Sequence, residues 1–403
     1  MVSHRRIRAE KKSRKLPNRV LVIIFVVIVA GAYTLGVFNN QVLGVVAPIF
    51  GTKTYSGTLD TSSLQSTYQA LKANFAGSLD DQKLIDAANK GLVSAAGDQY
   101  TVYMTKSDYA AFNNSLTGNI GGGIGVELGT RGNSTTILRV IDNNPAATAG
   151  VMVGDIVTAV NGQSASTQTL DQVVAEIRGD VGTTVKLDVT RAGEAKEFTI
   201  TRAQVNNPSV YSTVSDGIGT MTITSFDDQT GDLARAAAQQ FKSQNVKGVI
   251  LDLRDNGGGY ITAAQDVAGL WLDNQVVVTE KNNNTVLDQL RTGSDPILAG
   301  IPTVVLVNAN SASASEIVSG ALHDTKAATL VGEKTFGKGS VQKLISLPAG
   351  AELKVTVAKW YTPSGINVSG NGITPDKVVS ISQDDSNAGR DPQLDAAKAQ
   401  LNN

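Results

Sequence analysis

One local arrangement occurs twice in the C-terminal half of the chain: an apolar run, a turn of very small residues, and a segment with helical spacing. The first copy runs from Val249 to Leu253 and continues into a turn that ends in three glycines, residues 257–259. The second runs from Val304 into a turn of serines and alanines that ends at Glu316. Short apolar runs bounded by such turns predict buried strands. Because both strands lead into helices through small-residue turns, the two turns can face each other, and the pattern predicts an α/β core.

Three serines, Ser311, Ser313 and Ser315, lie in the second turn, where its helix begins. A serine at this position has free backbone N–H groups and the positive end of the helix dipole beside it, which suits an ordinary N-cap and a developing oxyanion equally well. A lysine between two glycines, Lys338, follows the next apolar run. This lysine favours a nucleophilic serine with an amine base over a simple cap. An amine base requires a lysine pKa well below ~10.4, which burial beside Phe336 and the adjoining glycines would supply.

The two segments together resemble the catalytic motifs of the carboxyl-terminal processing proteases, a serine peptidase family with a Ser-Lys dyad. The family pattern is a small-residue run ending in S-A-S-E, followed 25 residues after the nucleophile by the lysine of T-F-G-K-G-x-V-Q, and both parts are present. The resemblance implies that Ser313 is the nucleophile, that Lys338 is its general base and that Gln342 orients the lysine. It extends from about Leu59 to the C-terminus.

The glycine turn resembles the L-R-x-N-G-G-G motif of the same family, in which the last glycine N–H binds the oxyanion together with the residue after the nucleophile. The resemblance therefore implies an oxyanion hole formed by Gly259 and Ala314. Consecutive glycines fit this role because only a backbone without side chains lets a carbonyl approach so closely. A phosphate-binding turn is the alternative. The family also implies a core related to the ClpP/crotonase type, cleavage after small apolar residues, and neither a metal nor a nucleotide cofactor.

Short alternating strands, an Asn-Gly turn at residues 161–162 and one helix occupy the middle of the chain. This order resembles a PDZ domain of the circularly arranged kind found in bacterial proteases. A PDZ domain pairs the C-terminal strand of a peptide with its own edge and caps the carboxylate with backbone N–H groups. By match to the family, Gly123, Ile124 and Gly125 form the carboxylate-binding loop, and Arg178 links peptide occupancy to the protease core. An ordinary glycine-rich turn and a solvated charge at a helix end are the alternatives.

The N-terminus combines a basic segment with an uncharged apolar run. Eight lysines and arginines lie within the first nineteen residues, against the single acid Glu10. Residues 20–38 carry no charge, and as a helix they would span about 28 Å at ~1.5 Å per residue, close to the ~30 Å core of a bilayer. The positive-inside rule then predicts a cell-membrane protein with one transmembrane helix, a cytoplasmic tail and all later domains on the extracytoplasmic side. A signal peptide cleaved near Ala32 is the alternative.

The sequence therefore predicts a multidomain α+β chain with an α/β core. Its segments in chain order are a cytoplasmic basic tail (1–19), a transmembrane helix (20–38), a tether (39–59), a helical N-terminal region (60–114), a PDZ domain (115–205), a protease core (206–381), and a loop with a C-terminal helix (382–403). Within the helical region, Asp98 and Tyr100 match the G-D-P-Y segment of the family, with Gln99 in place of proline.

Composition excludes several function classes. A formal net charge of −1 provides no general field for binding nucleic acid. The absence of cysteine removes disulfides, cysteine nucleophiles and thiolate metal sites. Only two histidines occur, His4 and His323, so a histidine-cluster metal site cannot be built. A Ser-His-Asp triad would require His323, which we interpret as a structural residue at a helix end.

Two function classes other than a protease stay open. The segment from Gly332 to Lys338 matches a nucleotide-binding P-loop except at its last position, where Gly339 replaces the hydroxyl that should hold magnesium. A PDZ scaffold without activity is the other class, but it would need neither Ser313 nor Gln342. We therefore predict a membrane-anchored serine endopeptidase that trims extracytoplasmic protein substrates near their C-termini. The sequence does not specify the substrate, and a homodimer or a regulatory partner stays open.

Overall fold

A computed structural model of the protein describes residues 57–117, 119–131, 134–382, 384–385 and 388–402. The predicted transmembrane helix and the basic tail before it lie outside these residues. Within the described ranges, no helix is both long enough and apolar enough to cross a bilayer. The chain forms two compact units, Met1–Asp81 and Gln82–Asn403.

The helices are numbered in chain order. They are α1 (Ser62–Asn74), α2 (Asp81–Ser94), α3 (Lys106–Leu116), α4 (Pro145–Ala149), α5 (Leu170–Ile177), α6 (Thr230–Ser243), α7 (Ile261–Ala268), α8 (Ala314–Asp324) and α9 (Pro392–Leu401). In the first unit, α1 begins after Thr61 and buries none of its side chains. In the second unit, α3 begins with a capping box in which Thr105 and Asp108 each accept a hydrogen bond from the other's backbone N–H.

The strands are numbered in the same way. They are β1 (Val102–Met104), β2 (Asn119–Gly123), β3 (Val126–Arg131), β4 (Ser134–Val140), β5 (Ile156–Val160), β6 (Gln163–Ser164), β7 (Thr184–Arg191), β8 (Glu194–Thr201), β9 (Ala203–Asn206), β10 (Val210–Ser215), β11 (Ile218–Ile223), β12 (Gly248–Asp252), β13 (Val276–Asn282), β14 (Thr285–Arg291), β15 (Thr303–Val307), β16 (Thr329–Gly332), β17 (Ser340–Ser346), β18 (Glu352–Tyr361) and β19 (Lys377–Val378). The predicted multidomain α+β arrangement is confirmed.

The middle of the chain forms an antiparallel sheet in the order β3-β4-β5-β7-β8, with β6 paired to β5. Alternate residues of β7 point into a small core, where Leu187 packs with Ile137 and Val173. The predicted Asn-Gly turn joins β5 to β6, and both of its residues have positive φ, 50° at Asn161 and 81° at Gly162. Two positive φ values are what a type I′ hairpin turn requires, so the turn prediction is confirmed.

The C-terminal part is built on a six-stranded sheet in the order β10-β11-β12-β15-β16-β19, parallel except for the β10–β11 pair. β12 and β15 are buried along their whole length. Helices α6, α7 and α8 cover one face and contribute Phe241, Val267 and Ile317 to its core, while α9 covers the other face with Ala397. Parallel sheets require such cover on both faces. Because β12 and β15 are parallel neighbours, the turns that follow them lie at the same edge.

A second sheet lies beside this edge. Its central strand is β18, which pairs with β1, β13 and β17, and β13 continues into β14. The β13–β14 hairpin was not predicted, because β14 is exposed and shows no apolar alternation. β17 matters for the site, since it begins two residues after Lys338.

Candidate active site

The turn after β15 holds Ser313 at the N-cap of α8. Its backbone has φ 55° and ψ −112°, a combination that residues with side chains rarely adopt. Such a conformation costs on the order of 1–3 kcal/mol and persists only where surrounding contacts hold it. Two fully buried serines supply these contacts: Ser311 Oγ donates to Leu253 O at 2.8 Å, and Ser315 Oγ donates to Asn256 O at 2.8 Å. Of the three serines, only Ser313 lines the adjoining cavity.

The glycine turn after β12 lies directly against the Ser313 turn. A Cβ atom on Gly258 would come within 2.8 Å of both Ala312 O and Ser313 Cβ. Gly258 also has φ 101°, where glycine is strongly favoured. The backbone N–H of Ala312 donates to Asn256 O at 3.0 Å and joins the two turns. The prediction that the two turns face each other is confirmed.

Two backbone N–H groups border this junction, those of Gly259 and Ala314. Neither donates to an acceptor among the described residues, whereas the adjacent Tyr260 N–H donates to Phe226 O at 2.7 Å. A cavity beside Ser313 with two N–H groups that have no acceptor among the described residues has the donors that an oxyanion hole requires. The geometry fits the predicted role of Gly259 and Ala314, which stays a prediction.

Glu316 connects the Ser313 turn to the segment that contains Lys338. Its carboxylate is completely buried and accepts four hydrogen bonds. Oε2 accepts from the backbone N–H groups of Ser313 (2.8 Å) and Lys338 (2.9 Å). Oε1 accepts from Thr335 Oγ1 (2.6 Å) and from the Gly337 N–H (2.7 Å). A carboxylate tolerates such burial only when its acceptor sites are satisfied. Sequence reasoning named Glu316 only as a motif residue, although a capping-box position in a buried helix was a usable signal.

We expect Glu316→Gln to destabilise the protein. The glutamine has the same shape, but its NH2 group would face two of the four donors, and each unpaired buried group costs about 1–3 kcal/mol. The free energy of unfolding in urea should fall by roughly 2–4 kcal/mol. The matched control is Glu333→Gln in the same segment, where the carboxylate has no hydrogen-bond partner among the described residues. Equal urea midpoints for the two variants would contradict this role of Glu316.

Lys338 lies half-buried in the same cavity. Its Nζ lies 5.3 Å from the centre of the Tyr100 ring. Burial lowers the pKa of Lys338 below its ordinary value, the positive charge of Lys354 lowers it further, and the Glu316 carboxylate opposes both. A lowered pKa is what an amine base needs. One part of the prediction is wrong: Phe336 is 54% exposed and cannot be the source of this burial.

The segment that provides Tyr100 is the one in which glutamine replaces proline. Asp98 accepts from the Tyr100 N–H at 3.2 Å and from Thr101 Oγ1 at 2.6 Å. The hydroxyl of Thr101 in turn accepts from the Thr356 N–H on β18 at 3.1 Å. These bonds fix Tyr100 against the lysine without a proline at position 99. Sequence reasoning did not assign Tyr100 to the site.

Gln342 lines the cavity, but its amide does not contact the lysine. Its Nε2 donates to Ser340 Oγ at 2.8 Å and to Thr356 Oγ1 at 3.4 Å. The predicted role of Gln342 in orienting Lys338 therefore stays a prediction. The cavity has a volume of about 470 Å³, and Phe112 and Leu116 of α3 complete its wall.

The predicted peptide-binding residues of the middle domain also come together. Gly123, Ile124, Gly125 and Arg178 line one small pocket of about 60 Å³ between the glycine loop and α5. Ile124 is buried, and its carbonyl accepts from the backbone N–H of Ala146 at 2.8 Å. Arg178 is exposed at the C-terminal end of α5. The structure brings these residues together, and their roles stay predictions.

Neither a catalytic triad with His323 nor a nucleotide-binding P-loop at Lys338 fits the geometry. His323 lies at the opposite end of α8 from Ser313, roughly 15 Å along the helix axis. Its Nε2 lies 3.1 Å from Asp376 Oδ1, as expected for a structural residue. A P-loop lysine must lead into a helix, whereas Lys338 leads into β17.

Comparisons with known proteins give consistent results. The model of peptidase family S41 matches residues 217–379, and the PDZ domain model matches residues 122–201. A probable CtpA-like serine protease of Staphylococcus haemolyticus (strain JCSC1435) is 35% identical over 368 residues, which cover 90% of this chain and 73% of the relative. The carboxy-terminal processing protease CtpA of Bacillus subtilis (strain 168) is 34% identical over 364 residues, which cover 88% of this chain and 75% of the relative.

Solved structures agree with these relatives. The photosystem II D1 C-terminal processing protease matches with a TM-score of 0.50 and 27% identity, covering 80% of this chain and 87% of its own. A putative S41 protease from Bacteroides fragilis NCTC 9343 matches with a TM-score of 0.58 over 81% of this chain and 92% of its own. At 19% identity, the second match supports the fold alone.

Proposed function

Because the chain belongs to peptidase family S41 and is a carboxy-terminal processing serine protease, we propose that Ser313 is its nucleophile and Lys338 its general base. The observation that carries this proposal is the meeting of the two turns and Lys338 around one cavity of about 470 Å³. The buried Glu316 carboxylate supports it, since it binds the backbone N–H groups of both residues. The substrates are proteins, cleaved near their C-termini outside the cytoplasm.

In the acylation step, Ser313 Oγ attacks the carbonyl carbon of the scissile peptide bond. Neutral Lys338 Nζ takes the hydroxyl proton, and the carbonyl oxygen becomes an oxyanion that accepts from the Gly259 and Ala314 N–H groups. The intermediate collapses when the C–N bond breaks. The ammonium of Lys338 returns its proton to the departing amine, so the lysine is neutral again.

In the deacylation step, water replaces the departed amine. Lys338 takes a proton from the water, the hydroxide attacks the ester carbonyl, and the same two N–H groups bind the second oxyanion. Collapse releases Ser313 as a hydroxyl, with its proton supplied by Lys338. Lysine must therefore be neutral at the start of both steps, which is why its lowered pKa supports the proposal.

A fluorophosphonate probe tests the proposal directly, because it reacts with activated serines. The wild-type protein should be labelled on the peptide that contains Ser313, and Ser313→Ala should not be labelled. A folded wild-type protein that takes up no probe, yet still binds peptides, would instead be a PDZ scaffold without activity.

We expect the PDZ domain to capture substrates by their C-terminal carboxylate. The loop of Gly123, Ile124 and Gly125 has the backbone N–H groups for this purpose, with Arg178 at the border of the same pocket. Amidating the C-terminus of a substrate removes one charge and should weaken binding by roughly 1–3 kcal/mol. Substrate binding would weaken and the chemical step would be unchanged. KM should therefore rise while kcat stays the same. Equal cleavage of free-acid and amidated peptides, or full activity after deletion of residues 121–202, would contradict this role.

The proposed location is the cell membrane, with the catalytic domains on the extracytoplasmic side. The proposal rests on the basic segment and the uncharged residues 20–38 that follow it. A protease added outside intact cells should digest the domains after residue 59 and spare the tail before Arg19. A soluble mature protein that begins near Tyr33 would show cleavage instead of anchoring.

A further inference from the structure

The active-site cavity contains a second lysine, Lys354 on β18, that the reaction does not use. In the sheet register, Lys354 is paired with Leu344 of β17, and the next pair on the same face is Thr356 with Gln342. Its Nζ lies 5.1 Å from the centre of the Phe112 ring. No carboxylate in the described part of the chain forms an ion pair with Lys354.

The groups around Lys338 come from five segments. Ser313 and Glu316 belong to the Ser313 turn and α8, Tyr260 follows the glycine turn, and Tyr100 lies in the segment before β1. Lys354 belongs to β18, and the side chain from β17 is the uncharged Gln342. Two of these groups, a carboxylate and an ammonium, act on Lys338 through charge. Glu316 is negative and favours an ammonium at Lys338, whereas Lys354 is positive and favours the neutral amine. The protonation state of Lys338 therefore depends on the balance between them.

We propose that the ammonium of Lys354 keeps Lys338 in its neutral form, so that Lys338 can accept the proton of Ser313. Lys354 supplies no atom to the reaction and acts only through its charge. The inference rests on the proposed function, because it requires Lys338 to be the general base. Glu316 holds the two catalytic residues in place but also draws a proton onto the lysine, and Lys354 offsets that effect.

The size of the effect follows from the size of the site. A compact cavity of about 470 Å³ is roughly 10 Å across, and two charges ~10 Å apart still interact appreciably at an effective dielectric constant of ~20. Burial adds to this effect, since it also disfavours the ammonium of Lys338. Removing the charge of Lys354 should therefore raise the pKa of Lys338.

The test is the dependence of kcat/KM on pH, measured with the full-length protein and an unstructured protein substrate. Activity rises with pH as Lys338 loses its proton, so a higher lysine pKa moves this rise to higher pH. In Lys354→Met, which keeps length and loses charge, the rise should move up by about one pH unit and reach the wild-type plateau at high pH. Lys354→Arg keeps the charge and should retain the wild-type profile. Lys343→Met is the matched control and should also retain it, because Lys343 is an exposed lysine of β17 that does not line the cavity.

Two results would overturn the proposal. One is a Lys354→Met profile with its rise at the wild-type pH. The other is a loss of kcat/KM by the same factor at every pH, which would assign Lys354 to binding an acidic group of the substrate. Labelling of Ser313 by a small neutral fluorophosphonate at each pH gives a second readout that needs no protein substrate. A third variant separates these results from a failure of the proposed function itself. If Lys338 is not the general base, Lys338→Met should keep the wild-type rise of kcat/KM with pH.

Discussion

Ser313→Ala and Lys338→Ala should each reduce the hydrolysis of an unstructured protein to background, a loss on the order of 10⁴–10⁶ in kcat. The first variant lacks the attacking oxygen and the second lacks the group that removes its proton, so neither can form the acyl-enzyme. The measurement is the rate of fragment release under saturating substrate. Because the two residues act as one unit, the double variant should be no slower than either single variant.

His323→Ala is the control for this experiment. His323 lies in the last turn of α8 and contacts Asp376, away from the cavity. We therefore expect the His323→Ala variant to retain most of the activity. A folded His323→Ala protein with background activity would contradict the dyad and restore a histidine-dependent triad.

Gly258→Ala should reduce kcat by roughly 10²–10³, the loss seen when an oxyanion donor is misplaced. The added methyl would lie 2.8 Å from Ala312 O and Ser313 Cβ, and the φ of 101° would strain any side chain there. The two turns must separate to make room. Since the two proposed oxyanion donors lie on different turns, the separation would move the Gly259 N–H relative to the Ala314 N–H. The measurement is kcat under saturating substrate, with the melting temperature recorded for the same sample.

Gly257→Ala is the matched control in the neighbouring position. A Cβ on Gly257 meets no atom within 4 Å and needs no positive φ, so its melting temperature should equal that of the wild type. If Gly258→Ala keeps the wild-type kcat, the close packing of the two turns is not required for catalysis. Equal losses in both variants would attribute the effect to crowding of the cavity and not to the spacing of the turns.

Some contacts in the site join residues that are close in the sequence, and others join residues that are far apart. Ser313 and Glu316 are three residues apart, and the spacing of a capping box already relates them. Lys338 and Lys354 line the same cavity from two separate segments, and the Tyr100 ring from a third segment lies against Lys338. The charge of Lys354 acts on Lys338 only because these distant segments meet in the fold.

Local signals in the sequence determined many of the strands and turns of this protein. Short continuous apolar runs predicted the buried strands around Val249 and Val304, and the Asn161-Gly162 pair predicted a hairpin turn. Small residues after both buried strands predicted that two turns would face each other. These predictions succeeded because strands, turns and helix caps depend on residues within a few positions of one another. The resemblance to a known family predicted that Ser313, and not Ser311 or Ser315, is the nucleophile.

Only the tertiary structure decided which groups surround the proposed catalytic residues. Ser311 and Ser315 differ from Ser313 because their hydroxyls bind carbonyls of the glycine turn, almost sixty residues earlier in the chain. Burial of Lys338 was expected from its neighbour Phe336, but Phe336 is exposed and the covering ring belongs to Tyr100. Side-chain burial and the field at a titratable group are set by atoms that are close in space. Sequence periodicity records which face of an element is apolar, and it does not record which distant element will cover that face.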